Sequence, residues 1–300
     1  MNAINQALHF QPGPAADARA VVSSSLTGAD LTSKSFRAKS FRAGDIGDAM
    51  DPLVMVDHYV MTEPTFGEHP HAGMSAVSLL FEDSEGLFRN RDSLGNDFDL
   101  QRGDLYWLCA GSGAIHDESP RVNARIHGLQ VFVNVPQTQR FESPRSLLVR
   151  SKDMPVIRNA DACVKVALGV SNGVYGTASP SIPMTVLDGT LKPGSRFTHR
   201  SAANRGIWVQ SIEGRLDVAV GEMTRHLAPG RAIAISTDSS AMINIRNPSS
   251  ESAHFVLFDG ARVREPYVHE GPFVMGSPEQ IVDIKAAFKA GEFGDIAGNR

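Results

Sequence analysis

The chain has 300 residues, 42% of them hydrophobic and 21% charged, with 29 basic and 33 acidic side chains and a formal net charge of −4. Its length suits two domains, and its apolar fraction is sufficient for their cores. Balanced charge without a long basic run excludes the electrostatic footprint of a nucleic-acid-binding protein, so neither nucleic acid nor a membrane is expected as a direct partner. The two cysteines, Cys109 and Cys163, are too few for a disulfide framework and suit a reducing compartment.

The N-terminal stretch MNAINQALHFQPGPAADARA lacks the basic start and unbroken apolar run of a signal peptide. No segment approaches the ~18 consecutive apolar residues of a membrane span. These observations predict a cytoplasmic protein. Residues 1–34 are rich in Ala, Ser, Gly and Pro without periodicity, and they are predicted to form a flexible arm.

From residue 51 onward, short apolar or alternating segments such as SAVSLLFE, HGLQVFVNVP and GIWVQSIEG are separated by turn residues. Their length, spacing and β-branched content predict an all-β fold of sandwiches or barrels. Similar patterns surround Gly103 and Gly230, which indicates two barrels related by duplication. The polar segment that carries Pro136 and Pro144 is expected to join them, giving one barrel over residues 35–140 and a second over 145–300.

The first long helical pattern is SPEQIVDIKAAFKAGEFG, near the end of the chain. Ser277 is a suitable N-cap, Pro278 suits the first helical position, and Gln280 completes a capping-box pattern. A short C-terminal helix is therefore predicted as the last element of the second barrel.

The stretch GEHPHAGMS places His69 and His71 two positions apart, so both rings project from one face if they begin a strand. Pro70 is acceptable there, because proline is tolerated at strand starts and edges. A His-x-His pair alone occurs more often in loops and on surfaces. A second pair, His116 and Glu118, follows a glycine-rich turn at the same spacing, and together they offer three imidazoles and one carboxylate for a divalent transition metal.

The other histidines lack such pairing. His58 and His127 lie in apolar strand-like segments, which favours satisfied core or pocket positions. His199 stands alone in the second half, so the second barrel is predicted to be metal-free and His199 structural. The histidines without a partner at ligand spacing are His9, His226, His254 and His269. Trp107 and Cys109 alternate on one face of a predicted strand, which indicates core packing.

Six segments in chain order resemble the pirin family of the cupin superfamily: DPLVMVDHYV, HPHAG, NRDSLGN, GDLYWLCAGSGAIHDESP, HGLQVFVNVP and EPYVHEGPFVMGSPEQI. The resemblance runs from about residue 40 to the end. It implies two tandem cupin barrels of the double-stranded β-helix, or jelly-roll, type. It also implies one metal in the first barrel, usually iron, and no further cofactor; manganese, nickel, cobalt, copper and zinc remain open.

Carried over by motif, the metal ligands are His69, His71, His116 and Glu118. Most cupins place a carboxylate four residues after the His-x-His pair, but this chain has Ser75 there. Glu118 is therefore the carboxylate that the motif supplies. Many pirins have Arg directly after the pair and His before RDS; here these are Ala72 and Asn90, and we expect the pocket mouth to differ accordingly.

Some pirins cleave the flavonol quercetin with dioxygen, so the resemblance implies a quercetin 2,3-dioxygenase acting on a small aromatic or enol-bearing substrate. In that case Glu118 is both ligand and catalytic base. The alternative is a non-enzymatic, metal-dependent regulator that binds a protein partner such as a transcription factor or metabolic enzyme. A third possibility is a sugar-isomerase-like or ligand-binding cupin, because the barrel serves many chemistries.

Overall fold

A computed structural model describes residues 20–296, so His9 and most of the predicted arm lie outside the described residues. In the first half the strands are β1 (Val21–Val22), β2 (Ala29–Thr32), β3 (Phe36–Arg42), β4 (Leu53–Met61), β5 (His69–His71), β6 (Met74–Leu80), β7 (Phe88–Asp92), β8 (Asp97–Leu100), β9 (Leu105–Cys109), β10 (Ala114–Pro120), β11 (Ile126–Asn134) and β12 (Arg145–Val149).

In the second half the strands are β13 (Val156–Arg158), β14 (Ala162–Leu168), β15 (Val170–Ser171), β16 (Val174–Tyr175), β17 (Met184–Leu191), β18 (Arg196–Ser201), β19 (Arg205–Glu213), β20 (Leu216–Val220), β21 (Met223–Leu227), β22 (Ala232–Thr237), β23 (Ala241–Arg246), β24 (Ala253–Ala261), β25 (Val268–Glu270) and β26 (Phe273–Met275). The helices are α1 (Ala43–Ile46) and α2 (Pro278–Lys289), with 3-10 turns at Asp48–Met50, Gln137–Gln139 and Ser151–Asp153. Over the described residues, neither α-helix has the length and apolar character needed to cross a membrane.

Each half contains a seven-stranded and a four-stranded sheet. The larger sheets have the orders β12-β9-β6-β11-β4-β3-β2 and β1-β22-β19-β24-β17-β14-β13, and the smaller ones β5-β10-β7-β8 and β18-β23-β20-β21. The two halves have equivalent strand orders. In the second large sheet, β1 takes the place that β12 has in the first. The structure confirms the predicted all-β fold of two tandem cupin barrels.

The sequence repeat corresponds to one turn that occurs in both barrels. Gly103 precedes β9 with φ of 76°, and Gly230 precedes β22 with φ of 78°. Glycine adopts this left-handed conformation without the steric penalty that a Cβ brings. The two glycines therefore mark equivalent positions of the duplicated fold.

The two barrels pack together through the outward faces of their large sheets. Trp107 and Cys109 on β9 lie in this shared core, which confirms the prediction that they are packing residues. Phe41 on β3 meets Trp208 on β19 edge to face, with ring centroids 5.0 Å apart. Because aliphatic and aromatic side chains from both halves fill this layer, burial of apolar surface is the main force that joins the barrels.

A chain of polar side chains crosses the same interface. His58 Nε2 lies 2.7 Å from His127 Nε2, and His127 Nδ1 lies 2.8 Å from both carboxylate oxygens of Asp83. Gln210 of the second barrel donates to His58 Nδ1 at 3.3 Å. Both histidines therefore have partners, as the sequence analysis expected of core or pocket residues. Burial is the main cause that lowers the pKa of His58, to about 3, and also lowers that of His127.

The N-terminal segment differs from the prediction of a flexible arm over residues 1–34. Within the described part of it, β1 pairs with β22 of the second barrel and β2 pairs with β3 of the first. Val21 and Val22 are β-branched, and they complete the open edge of the second large sheet. The predicted limits of the first barrel also change, because β12 pairs with β9 and so extends its sheet to Val149.

The C-terminal segment crosses in the opposite direction. Ser277 Oγ accepts from the Gln280 backbone N–H at 3.3 Å, so α2 begins at the predicted cap. The segment does not, however, pack as part of the second barrel. Phe273 forms a parallel bridge with Ala72, and the ring of Phe293 lies against Gly113, both positions of the first barrel. Residues 268–296 therefore form a cap, here called the C-terminal cap, on the first barrel.

Candidate metal centre

The predicted histidines lie on two neighbouring strands. β5 is the edge strand of its sheet, which explains why Pro70 is tolerated within it. β5 pairs antiparallel with β10, and His69 lies directly opposite His116. Since alternate residues of a strand share a face, His71 points to the same side as His69. The His-x-His pattern and the strand register together bring three imidazoles to one point.

The ring nitrogens of the three histidines meet closely. His116 Nε2 lies 2.9 Å from His71 Nε2 and 2.9 Å from His69 Nε2. The Nδ1 atoms of His69 and His71 face the carbonyl oxygens of Gly67 at 2.8 Å and Pro272 at 3.3 Å. A carbonyl only accepts, so each Nδ1 carries the proton and each Nε2 presents its lone pair. His116 Nδ1 has no hydrogen-bond partner among the described residues.

This arrangement fits a transition metal. Nitrogen ligands on adjacent corners of an octahedron with bonds of ~2.1 Å are about 3.0 Å apart, close to the separations of the Nε2 atoms. The Nε2 lone pairs of His69 and His71 are available to a cation bound at this point. Burial lowers the pKa of His69, and burial with the neighbouring imidazoles lowers those of His71 and His116 well below the ordinary value. The rings are thus neutral, as metal ligands must be.

Glu118 follows His116 on β10 and faces the same cavity. It is not one of the residues whose donor atoms lie within 4.8 Å of one another; those are His69, His71 and His116. Ser78 Oγ lies 2.6 Å from Glu118 Oε1 and 2.9 Å from Gln130 Oε1. Burial raises the pKa of Glu118 to about 7, with the Ser78 hydrogen bond opposing the shift and the Asp117 charge adding to it. That Glu118 ligates the metal stays a prediction.

The histidines lie in the wall of a cavity of about 400 Å³. Most of its other lining side chains are aromatic or thioether groups: Phe36, Met55, Met61, Phe66, Phe88 and Phe132. Its further polar lining groups are Asp57, Tyr59 and Gln130, and Gly271 and Pro272 of the C-terminal cap close one side. A cavity of this size and character suits a flat aromatic molecule.

Ala72 and Asn90 depart from the usual pirin pattern, and Ser75 departs from the usual cupin pattern. Ala72, Ser75 and Asn90 are fully buried, and none of them lines the cavity. Ala72 packs beneath the C-terminal cap, and Asn90 stands opposite Glu118 in the β7–β10 register. Strand pairing places the Asn90 side chain on the same face of the sheet as Glu118, so a difference at the pocket mouth stays a prediction.

Sequence reasoning missed the cavity residues Asp57, Tyr59 and Gln130. They carry no motif, and only strand alternation in DPLVMVDHYV and HGLQVFVNVP could have placed them on inward faces. Pro272 was also missed, because it reaches the first barrel from 201 positions beyond His71.

In the second barrel, β18 and β23 take the places of β5 and β10. Their buried positions hold Phe197, His199, Ile243 and Ile245. His199 Nε2 lies 3.0 Å from Asp259 Oδ2, and its Nδ1 lies 3.0 Å from Ser171 Oγ. Arg205 donates to the other oxygen of Asp259 at 2.8 Å. These contacts give His199 a structural environment, and the metal-free state of this barrel stays a prediction.

Fold and site together define a bicupin with a cluster of three histidines in its first barrel. Family models for pirin and for the pirin C-terminal cupin domain match residues 30–133 and 186–294. Pirin-1 of Arabidopsis thaliana is 30% identical over 233 residues, which are 77% of this chain and 79% of that protein. The chain belongs to the pirin family.

Solved structures show the same architecture. A quercetin 2,3-dioxygenase from Acinetobacter baumannii superposes with a TM-score of 0.78 at 23% identity, covering 98% of this chain and all of that one. The bacterial pirin YhhW of Escherichia coli, in complex with nickel(II), superposes with a TM-score of 0.59 at 20% identity, covering 82% of this chain and all of that one. At these identities the likeness establishes the fold.

Proposed function

We propose that this protein is a metal-dependent dioxygenase, with iron(II) as the metal, that oxidises a flavonol such as quercetin. The observation that carries the proposal is the cluster of three neutral imidazoles in the wall of an aromatic cavity of about 400 Å³. The structural likeness to a quercetin 2,3-dioxygenase supports the reaction, and the nickel(II) complex of YhhW supports a transition metal.

In this proposal His69, His71, His116 and Glu118 hold the metal. A bound transition metal supplies Lewis acidity and access to redox chemistry with dioxygen. The aromatic rings that line the cavity, such as that of Phe36, would stack against a flat substrate and exclude water from the reacting atoms.

Glu118 has the second role of taking the proton of the flavonol hydroxyl. In the metal-free protein burial raises the pKa of Glu118 to about 7, so its carboxylate is a stronger base than that of an exposed glutamate. Ser78 orients the carboxylate by donating a hydrogen bond to it. The protein thus holds the acceptor in place before the substrate arrives, which reduces the reorganisation needed during reaction.

The test is oxygen uptake by protein loaded anaerobically with iron(II), with quercetin added before air is admitted. We expect slow loss of the flavonol absorbance that requires the metal. Glu118→Gln should lower the rate by about 100-fold while lowering metal content much less. Manganese, nickel, cobalt, copper and zinc loadings run in parallel identify the competent metal. Quercetin left unaltered by every loading refutes the proposal, and a protein partner captured only by metal-loaded protein then supports the regulatory alternative.

A further inference from the structure

Tyr59 is a cavity-lining residue whose hydroxyl is buried and unpaired among the described residues. The residue lies on β4, lines the cavity and is only 3% exposed. Within the described part of the chain, its hydroxyl has no hydrogen-bond partner. A buried hydroxyl without a partner is unfavourable, so such groups in native proteins call for a partner outside the protein.

The neighbours of Tyr59 explain why no side chain fills this role. In the sheet its partners are Ala38 on β3 and Gly128 on β11, neither of which has a polar side chain. The rings of Phe36 and Phe88 lie near the Tyr59 ring, with centroids 6.0 Å and 6.5 Å away. These contacts hold the ring in position and leave the cavity as the direction from which a partner can come.

Tyr59 lines the same cavity as Glu118 and the three histidines. Burial, and then the negative charge of Glu118, raise the pKa of Tyr59 well above its ordinary value. The group therefore remains a phenol and acts as a hydrogen-bond donor. A ligand in the cavity would thus have the proposed metal ligands and Tyr59 among the residues around it.

Resting on the proposed function, we infer that Tyr59 is a specificity-determining residue that donates a hydrogen bond to a ligand oxygen other than those held by the metal. The cavity then selects flat aromatic ligands that carry at least one further hydroxyl or carbonyl beyond the metal-binding pair. A ligand without that oxygen leaves the Tyr59 hydroxyl unpaired, which is how a site built for a hydrogen bond rejects an analogue that lacks it.

The test measures binding without turnover. Zinc-loaded protein under nitrogen is titrated with quercetin and with 3-hydroxyflavone, which share the 3-hydroxyl and 4-keto oxygens but differ in the hydroxyls on their outer rings. Tyr59→Phe should raise the Kd for quercetin by about 10-fold and that for 3-hydroxyflavone by less than about 2-fold. Tyr175→Phe, at a position 75% exposed in the second barrel, is the matched control and should change neither Kd.

A merely structural role predicts a different pattern. Because the Tyr59 hydroxyl makes no hydrogen bond to be lost, Tyr59→Phe should melt at the same temperature as the wild type or higher. Equal Kd values for wild type and Tyr59→Phe, or equal weakening of both ligands, overturn the inference while oxygen uptake with quercetin still stands. Failure of the zinc-loaded wild type to bind either ligand overturns the inference together with the flavonol substrate class.

Discussion

The two barrels have the same strand order but very different interiors. In the first, buried positions of β5 and β10 hold His71 and His116, and the space beside them is a cavity. In the second, the equivalent strands bury Phe197 and Ile243, and the interior is filled by aliphatic and aromatic side chains. A small number of inward-facing positions therefore gives the first barrel its histidine cluster and the second its apolar interior on the same framework.

The two interiors also handle charge differently. The interior of the first barrel contains three neutral imidazoles, which could bind a cation. In the second barrel the positive charge comes from the protein itself. Arg205 donates a hydrogen bond to one oxygen of the buried Asp259 carboxylate, and His199 contacts the other. Buried charges are stable when paired and hydrogen-bonded, so the protein pair in the second barrel is complete by itself.

The largest expected effect is on metal binding in the first barrel. His116→Ala should reduce bound metal to less than about a tenth of the wild-type amount, because it removes a ligand from the centre of the cluster. His199→Ala, which removes the buried histidine of the second barrel, should leave metal content unchanged. Metal analysis after anaerobic loading and desalting measures both. Equal metal loss in the two variants would erase the distinction between the barrels.

The next effect is on stability in the second barrel. Asp259→Asn leaves His199 and Arg205 without their buried charge partner, and we expect it to lower the free energy of unfolding by about 3–5 kcal/mol. The matched control is Asp217→Asn on β20, whose partners His226 and Arg246 are exposed; it should cost about 0–1 kcal/mol. Urea unfolding of metal-free protein measures both. Similar costs at the two sites would show that the buried contact adds nothing.

The smallest effect, when compared per pH unit, concerns the interface between the barrels. The pKa of His58 is about 3 in the folded protein because of burial, against about 6.5 in the unfolded chain. Between these values the unfolded state binds a proton that the folded state excludes, so stability falls as pH falls. The contribution is at most about 1.4 kcal/mol per pH unit.

His58→Gln should remove this contribution, giving a shallower loss of stability between pH 6.5 and about 3. His226→Gln, at a side chain 81% exposed in the second barrel, is the control and should keep the wild-type slope. The measurement is the free energy of unfolding as a function of pH. Parallel curves for His58→Gln and wild type would contradict the prediction.

Local patterns in the sequence were enough for much of this molecule. Strand alternation predicted the all-β fold, the repeat around Gly103 predicted two barrels, and the cap at Ser277 predicted the start of α2. The three histidines were found because two short strands place their side chains at a spacing that the backbone fixes. Each of these inferences depends on residues that are close along the chain.

What sequence reasoning missed depends on contacts between distant residues. Val21 pairs across the molecule with Ser236, and Pro272 returns to His71. Tyr59 is distinguished by a buried hydroxyl without a hydrogen-bond partner among the described residues, which cannot be read from the sequence alone. Such features arise when strands from separate parts of the chain meet, and only the assembled fold specifies them.

The exchange of chain segments between the barrels has an evolutionary consequence. At the start of the described chain, β1 pairs with a strand of the second barrel, and at its end the C-terminal cap packs on the first barrel. After duplication, each copy thus came to depend on a segment encoded at the far side of the other. Either half made alone would therefore have an open sheet edge or an open barrel end, and only the joined chain closes both.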